Sequence, residues 1–280
     1  MNTKNNQINA SKNLGKLPTW DLKDLYPSQN DKSLNRDLNN IRDDTLKFEK
    51  KYLNKVKTLS ADNLYKAINQ LEQIDVLMDK VLSYAHLLVA EDGNNEKNKI
   101  FYQQMQEKIT KYASSIIFFT LELNQIPEKQ ISKLVKNQKL QIYKNWIINK
   151  RSFKPYQLDL KIEKILQDKS ITSHSAWIRL FDDIIASLKF PFKKEELNSS
   201  QIFNYMSDKN ESTRKLAAKS VGKVLGSNIK IFSTITNTLA KDKSINDSWR
   251  KLPTPVSARN LSNVVEDSVV DSLVSSGTEY

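Results

Sequence analysis

Turn-forming residues are nearly missing from this chain: five glycines and seven prolines serve 280 residues. A sheet-rich fold turns back roughly every 8–12 residues and would need many more of them. The shortage predicts an all-α protein, a multi-helical lobe of long antiparallel helices with no significant sheet. An apolar fraction of 39% is low for a globular chain but suffices for a core at this length.

The periodicity agrees. Leu71, Ile74, Leu77, Val81, Tyr84 and Leu88 recur at three- and four-residue steps, one apolar stripe along a helix from about 61 to 90. Ser60 is its expected N-cap, with Asp62 in the first turn, where the helix dipole favours an acid. Asp92-Gly93-Asn94 ends it. A second helix is expected from about 95 through Met105, Ile109, Tyr112, Ile116 and Phe119 to Leu123, closed by Pro127, so that the two form an antiparallel hairpin.

Further helices are expected over 131–150 and 158–167, separated at Lys154-Pro155, and after Ser173 as a cap. Phe190-Pro191-Phe192 is the clearest interior break and the expected lobe boundary. Asp208 with Glu211 makes a capping-box pattern opening one long helix whose stripe runs Ala217, Val221, Val224, Ile231 or Phe232, Ile235, Leu239. A last helix from about Ser257 carries Val264, Val265, Val269 and Leu273. Its apolar face is expected to pack on sequence not present here.

The net charge of +12 is a lysine surplus: only seven of the 44 basic residues are arginine. Phosphate and nucleic-acid recognition favours the arginine fork, so nucleic acid is a disfavoured partner. The strongest contrary signal is Glu128 to Lys154, where seven lysines and Arg151 interleave with Tyr143, Trp146 and Phe153. Ile131, Leu134, Val135, Ile142 and Trp146 read there as a core-facing stripe, with the lysines on a solvated face. No cysteine is present, and the longest apolar-leaning run, 113–123, contains Ser114, Ser115 and Glu122. No signal peptide and no membrane span are expected, and the protein is assigned to the cytoplasm.

Little catalytic chemistry is legible. Zinc hydrolysis needs at least three protein ligands and an open position. His86 and His174 are the only histidines, and neither stands in a His-Glu-x-x-His pattern. His86, beside Leu87, Leu88 and Val89, reads as a residue buried in a helix contact; His174 reads as one near a helix start. The adjacent carboxylates Asp182-Asp183 and Glu195-Glu196 diverge by about 100° on a helix and do not share a proton. The catalytic, cofactor-binding and metal-binding residues expected within this sequence are therefore none.

Several stretches carry a family resemblance. Leu17-Pro18-Thr19-Trp20-Asp21-Leu22-Lys23-Asp24-Leu25-Tyr26 resembles the opening of the oligoendopeptidase F branch of the thimet-oligopeptidase-like zinc peptidases. In the same order, 84–92 (YAHLLVAED), 175–182 (SAWIRLFD), 240–243 (AKDK) and 255–263 (PVSARNLSN) are similar to later segments of that family. The stretch 154–158 (KPYQL) is similar too, with Tyr156 where a histidine is expected.

The resemblance implies a metalloendopeptidase, a helical hydrolase that encloses short peptides between two lobes. Zn2+ is held in the C-terminal half by His-Glu-x-x-His and a further glutamate. On that basis the expected organisation is a disordered N-terminal tail at 1–16, an N-terminal helical lobe at 17–190, and the start of the peptidase domain at 191–280, truncated before the zinc motif. The chain is then expected to be inactive alone, either cut short or the partner of a separate C-terminal catalytic half. The alternatives are a non-catalytic helical peptide- or protein-binding module and, less favoured, a basic nucleic-acid-binding helical protein.

Overall fold

The computed structural model describes residues 20–279, so the expected tail and the first three residues of the opening motif lie outside the described residues. The fold is predominantly all-α. Four helices make the main body: α1 (Lys32–Tyr52), α2 (Ala61–Glu91), α3 (Glu96–Ile116) and α4 (Phe118–Gln125). Each of the first three starts on a side-chain cap. Asp31 accepts from the Ser33 N–H, Ser60 from Asn63, and Asn95 from Lys97 and Asn98. The hairpin α2–α3 turns where expected, and the second helix kinks at Ile117 instead of running on to Leu123.

The core forms where the stripes of these helices meet. Phe48, fully buried, lies with its ring centroid 4.8 Å from Tyr52, 5.3 Å from Phe119 and 6.0 Å from Phe118. Two buried carboxylates, Asp37 and Glu122, are hydrogen-bonded here. The Tyr26 hydroxyl donates to Asp37 at 2.9 Å, and Lys80 approaches the same carboxylate at 3.3 Å, pinning the N-terminal segment to α1 and α2. Burial, and then the Asp37 bond, push the Tyr26 phenol far above its usual range. Glu122, 7% exposed, accepts the backbone N–H groups of Asn54 at 2.7 Å and Val56 at 3.1 Å, closing the α1–α2 connection from 66 residues away.

The helix expected over 131–150 is broken into α5 (Glu128–Leu134), a 3₁₀ turn at Leu140–Tyr143, and α6 (Lys144–Ser152). Asn137 is the cause: its side chain accepts the Lys139 N–H, and its carbonyl takes those of Leu140 and Gln141. The break lets Leu140 and Ile147 enter the core, while Ile142, expected there, is 70% exposed. From α6, Arg151 reaches back to the C-terminal end of α4, donating to the carbonyls of Leu123 and Ile126 at 2.8 and 3.0 Å.

Helix α7 (Leu160–Lys169) starts on Asp159, and α8 (His174–Ser187) follows a 3₁₀ turn. Ser173 does not cap α8 as expected; its hydroxyl donates back to the Ser170 carbonyl. The break at Phe190-Pro191-Phe192 is a short strand. β1 (Phe190–Phe192) pairs antiparallel with β2 (Glu195–Leu197), Phe190 opposite Leu197. Its two phenylalanines pack on Ile202 of α9 (Ser199–Tyr205) and Ala217 of α10 (Glu211–Ser227), a small core separate from the large one.

The cap of α10 is Asn210, not Asp208, whose carboxylate instead holds the Asn210 N–H. The single long helix expected here is two, because Asn228 interrupts it between α10 and α11 (Ile229–Arg250) and its side chain donates to the Val224 carbonyl. The last helix is likewise two, α12 (Ser257–Ser262) and α13 (Asp267–Glu279). Val264 adopts a φ of 54° at that break, and Asn260 donates across it to Asp267 at 2.7 Å. Val269 and Leu273 are exposed as expected, at 53% and 74%, while Val265, expected on the same face, is half-buried.

The C-terminal segment is tied to the main body by one bidentate ion pair. Arg250 on α11 donates to both Glu163 oxygens on α7, at 2.6 and 2.8 Å, and Glu163 also accepts the Leu158 N–H at 2.9 Å.

Candidate functional site

Helix α8 is docked across the α2–α3 hairpin by three features. Gly93 in the hairpin turn allows close approach, since a Cβ there would stand 3.3 Å from the Ala186 Cβ. Lys99 bridges Glu96 and Asp183 at 3.1 and 3.0 Å. Arg179 donates to the Gln106 side chain at 3.3 Å and to the Ile171 carbonyl at 3.1 Å. On its other side α8 packs on α11, with Phe181 and Phe232 edge to face at 5.7 Å.

Between α8 and the hairpin lies a cleft of 520 Å³. His86, Val89 and Ala90 of α2 and Tyr102 and Gln106 of α3 form one wall; His174, Ile178, Arg179 and Asp182 of α8 form the other. Asp182 and Asp183 both line the cleft, and Asp183 is paired there with Lys99. Desolvation and then the Asp183 charge raise the Asp182 carboxyl, against the pull of His86. The cleft thus offers donors and acceptors of both charges around an apolar floor, a surface suited to a polar, extended chain.

His86 is exposed, not buried as expected, with its ring centroid 5.6 Å from that of Tyr102. His174 is exposed at the start of α8, its Nε2 3.3 Å from the Ser175 hydroxyl. The structure brings these two residues to one cleft, which their separate positions on two helices concealed. The donor set does not fit a zinc ion: among the described residues no three His, Asp or Glu side chains converge to hold a metal.

In the basic stretch 128–154 the lysines are exposed, Arg151 is spent on the end of α4, and Trp146 lies with its ring centroid 5.8 Å from the Lys150 ammonium. No helix among the described residues is long and apolar enough to cross a membrane.

Comparison with known proteins follows the same lines. The family described as Oligopeptidase F matches residues 122–190. Oligopeptidase PepF of Bacillus subtilis (strain 168) is 25% identical over 284 aligned positions, 97% of this chain and 41% of the relative. The chain resembles the N-terminal portion of oligoendopeptidase F. A crystal structure of oligoendopeptidase-F from Enterococcus faecium superposes with a TM-score of 0.75 at 20% identity, covering 87% of this chain and 49% of that one. A Chlamydophila abortus protein shares the fold more loosely, with a TM-score of 0.55 at 16% identity over 91% of this chain and 44% of its own. The chain therefore spans about two fifths of the curated relative it matches.

Four of the stretches that resemble oligoendopeptidase F meet in two pairs. Residues 84–92 and 175–182 face each other across the cleft. Residues 154–158 meet 255–263 beside the Arg250–Glu163 pair, where the Tyr156 carbonyl also accepts from Arg250 at 3.3 Å.

Proposed function

We propose that these residues form the N-terminal part of a peptide-hydrolysing enzyme of the oligoendopeptidase F kind and supply one wall of its peptide-holding space. Residues 17–190 act as the helical lobe and 191–280 as the start of the peptidase domain. The small core around Phe190 supports a division near 190, with α8 as the joint. Zinc and the glutamate that activates its water are contributed by other sequence, and no step of hydrolysis is assigned to residues of this chain. The substrates are short peptides and the compartment is the cytoplasm.

The observation that carries this reading is the collinear match to PepF over 97% of the chain. The cleft of His86, Arg179 and Asp182 then serves as a peptide contact, with side chains that pair with backbone groups rather than cut them. A labelled octapeptide titrated against the purified chain tests this: binding is expected, and His86→Ala with Asp182→Asn should weaken it about tenfold. Peptide binding untouched by that double substitution places the contact elsewhere. A coding sequence adjoining this one without a His-Glu-x-x-His segment would leave the non-catalytic peptide-binding module as the function.

A further inference from the structure

The 3₁₀ turn at Leu140–Tyr143 and helix α6 form a ridge between two grooves of similar size. On one side a groove of 410 Å³ lies along α2, and the charged residues that line it, Glu72, Asp75 and Asp79, are all acidic. On the other side a groove of 390 Å³ lies along α5, lined by Lys136 and Lys144 together with Arg151 and its partner Glu128. Apolar side chains stand exposed on the ridge and beside it: Ile142 at 70%, Val76 at 61% and Ile148 at 52%. Neither groove shares a residue with the cleft described above.

The charges of the two grooves are not neutralised within the chain. Glu72 accepts from the Tyr143 hydroxyl at 2.6 Å, whereas Asp75 and Asp79 are exposed and enter no ion pair among the described residues. Desolvation and then the Asp79 charge raise the Asp75 carboxyl, against the pull of Lys150, whose ammonium stands 5.8 Å from the Trp146 ring centroid. Across the ridge, Lys139 is taken by Asp62 and Arg151 by Glu128, which leaves Lys136 and Lys144 as the unpaired cations of the basic groove. Copies of a chain with a net charge of +12 repel one another in general. This face is a local exception, because it carries both signs. A two-fold axis through the ridge sets each groove against the groove of opposite charge in a second copy. A partner of one sign would satisfy only one of them.

We propose that a second copy of this chain docks on this face, forming an isologous dimer. Ile142, Ile148 and Val76 of the two copies make its apolar centre. Asp75 and Asp79 of each copy face Lys136 and Lys144 of the other on both sides of the axis, so every charge interaction occurs twice. The apolar centre supplies the affinity, and the charges fix the orientation. The inference stands independently of the function proposed above.

Charge reversal tested by sedimentation velocity on the full 280-residue chain decides it, with Val269→Ser and Leu273→Ser present throughout so that the exposed stripe of α13 does not contribute. The parent should show a dimer in reversible equilibrium with monomer across a concentration series. Asp75→Lys with Asp79→Lys should weaken the dimer about tenfold or more, and Lys136→Glu with Lys144→Glu should do the same. Mixing these two variants restores opposite charges at every contact, so a heterodimer should form. A chain carrying all four reversals should dimerise with itself again. A parent that stays monomeric, a dimer that either reversal leaves unchanged, or weakening that neither the mixture nor the fourfold variant restores overturns the proposal. If the reversed chains do not fold, Ile142→Ser decides: loss of the dimer is expected, and an unchanged dimer is the refuting result.

Discussion

Truncating Arg250 to alanine tests how the C-terminal segment is held. Glu163, 7% exposed, accepts two hydrogen bonds from Arg250 and one from the Leu158 N–H. Burial alone would raise the Glu163 carboxyl; the Arg250 hydrogen bonds, the Leu158 amide and the guanidinium charge outweigh it and hold the group below the usual carboxylate range. Breaking a fully buried pair costs about 3–5 kcal/mol, because the surviving charge is left without its partner. Arg250 keeps 26% of its side chain in water, so we expect about 2–4 kcal/mol. For a chain of this size that lowers Tm by roughly 5–12 °C, read by circular dichroism or calorimetry at pH 7. The sign with pH follows from the lowered folded-state value. The stabilisation is present above the unfolded carboxylate pKa of about 4.3 and is lost as pH falls through the folded one, so wild type and variant should converge in acid. Glu163→Leu with Arg250→Leu should recover much of the loss, since no lone charge then remains. A single Arg250→Ala variant within about 0.5 kcal/mol of wild type, the range of ordinary surface changes, would refute the reasoning.

Other consequences are equally direct. Glu122→Ala leaves the Asn54 and Val56 N–H groups without an acceptor and should cost about 2–4 kcal/mol by urea denaturation, with Glu122→Gln intermediate. Gly93→Val forces α8 off the α2–α3 hairpin, costing about 1–3 kcal/mol and weakening octapeptide binding in the cleft. Burial and then the neighbouring Asp79 charge push the Asp75 carboxyl up to about 6. A raised carboxyl favours the folded state in acid, so this contribution fades as pH rises from about 4 to 6; an NMR titration of Asp75 with a midpoint near 4 would contradict it. Val269→Ser with Leu273→Ser removes the exposed stripe of α13 and should reduce self-association in light scattering.

What the sequence disclosed was what local chemistry decides. Helix α2 is legible nearly to the residue because Ser60, Asp62 and an unbroken apolar stripe lie along one segment. Two of the misread helices share one cause. Asn137 and Asn228 sit inside good periodic patterns and use their side chains against the helical ladder, which periodicity does not register. Glu122, Arg151 and Glu163 went unread because each acts on groups tens of residues away or on another helix. A signal did exist: Glu122 stands between Leu121 and Leu123, and Arg151 is a rare arginine among lysines. The cleft was beyond reach of the sequence, since His86 and Asp182 meet only when α8 crosses the hairpin.

The central claim is that these residues hold peptide while the catalytic metal lies in other sequence. A quenched fluorescent octapeptide incubated with the purified chain, with and without added zinc, tests it most directly. The account predicts saturable binding that depends on His86 and Asp182 and no cleavage under either condition. Zinc-dependent cleavage by these 280 residues would contradict it.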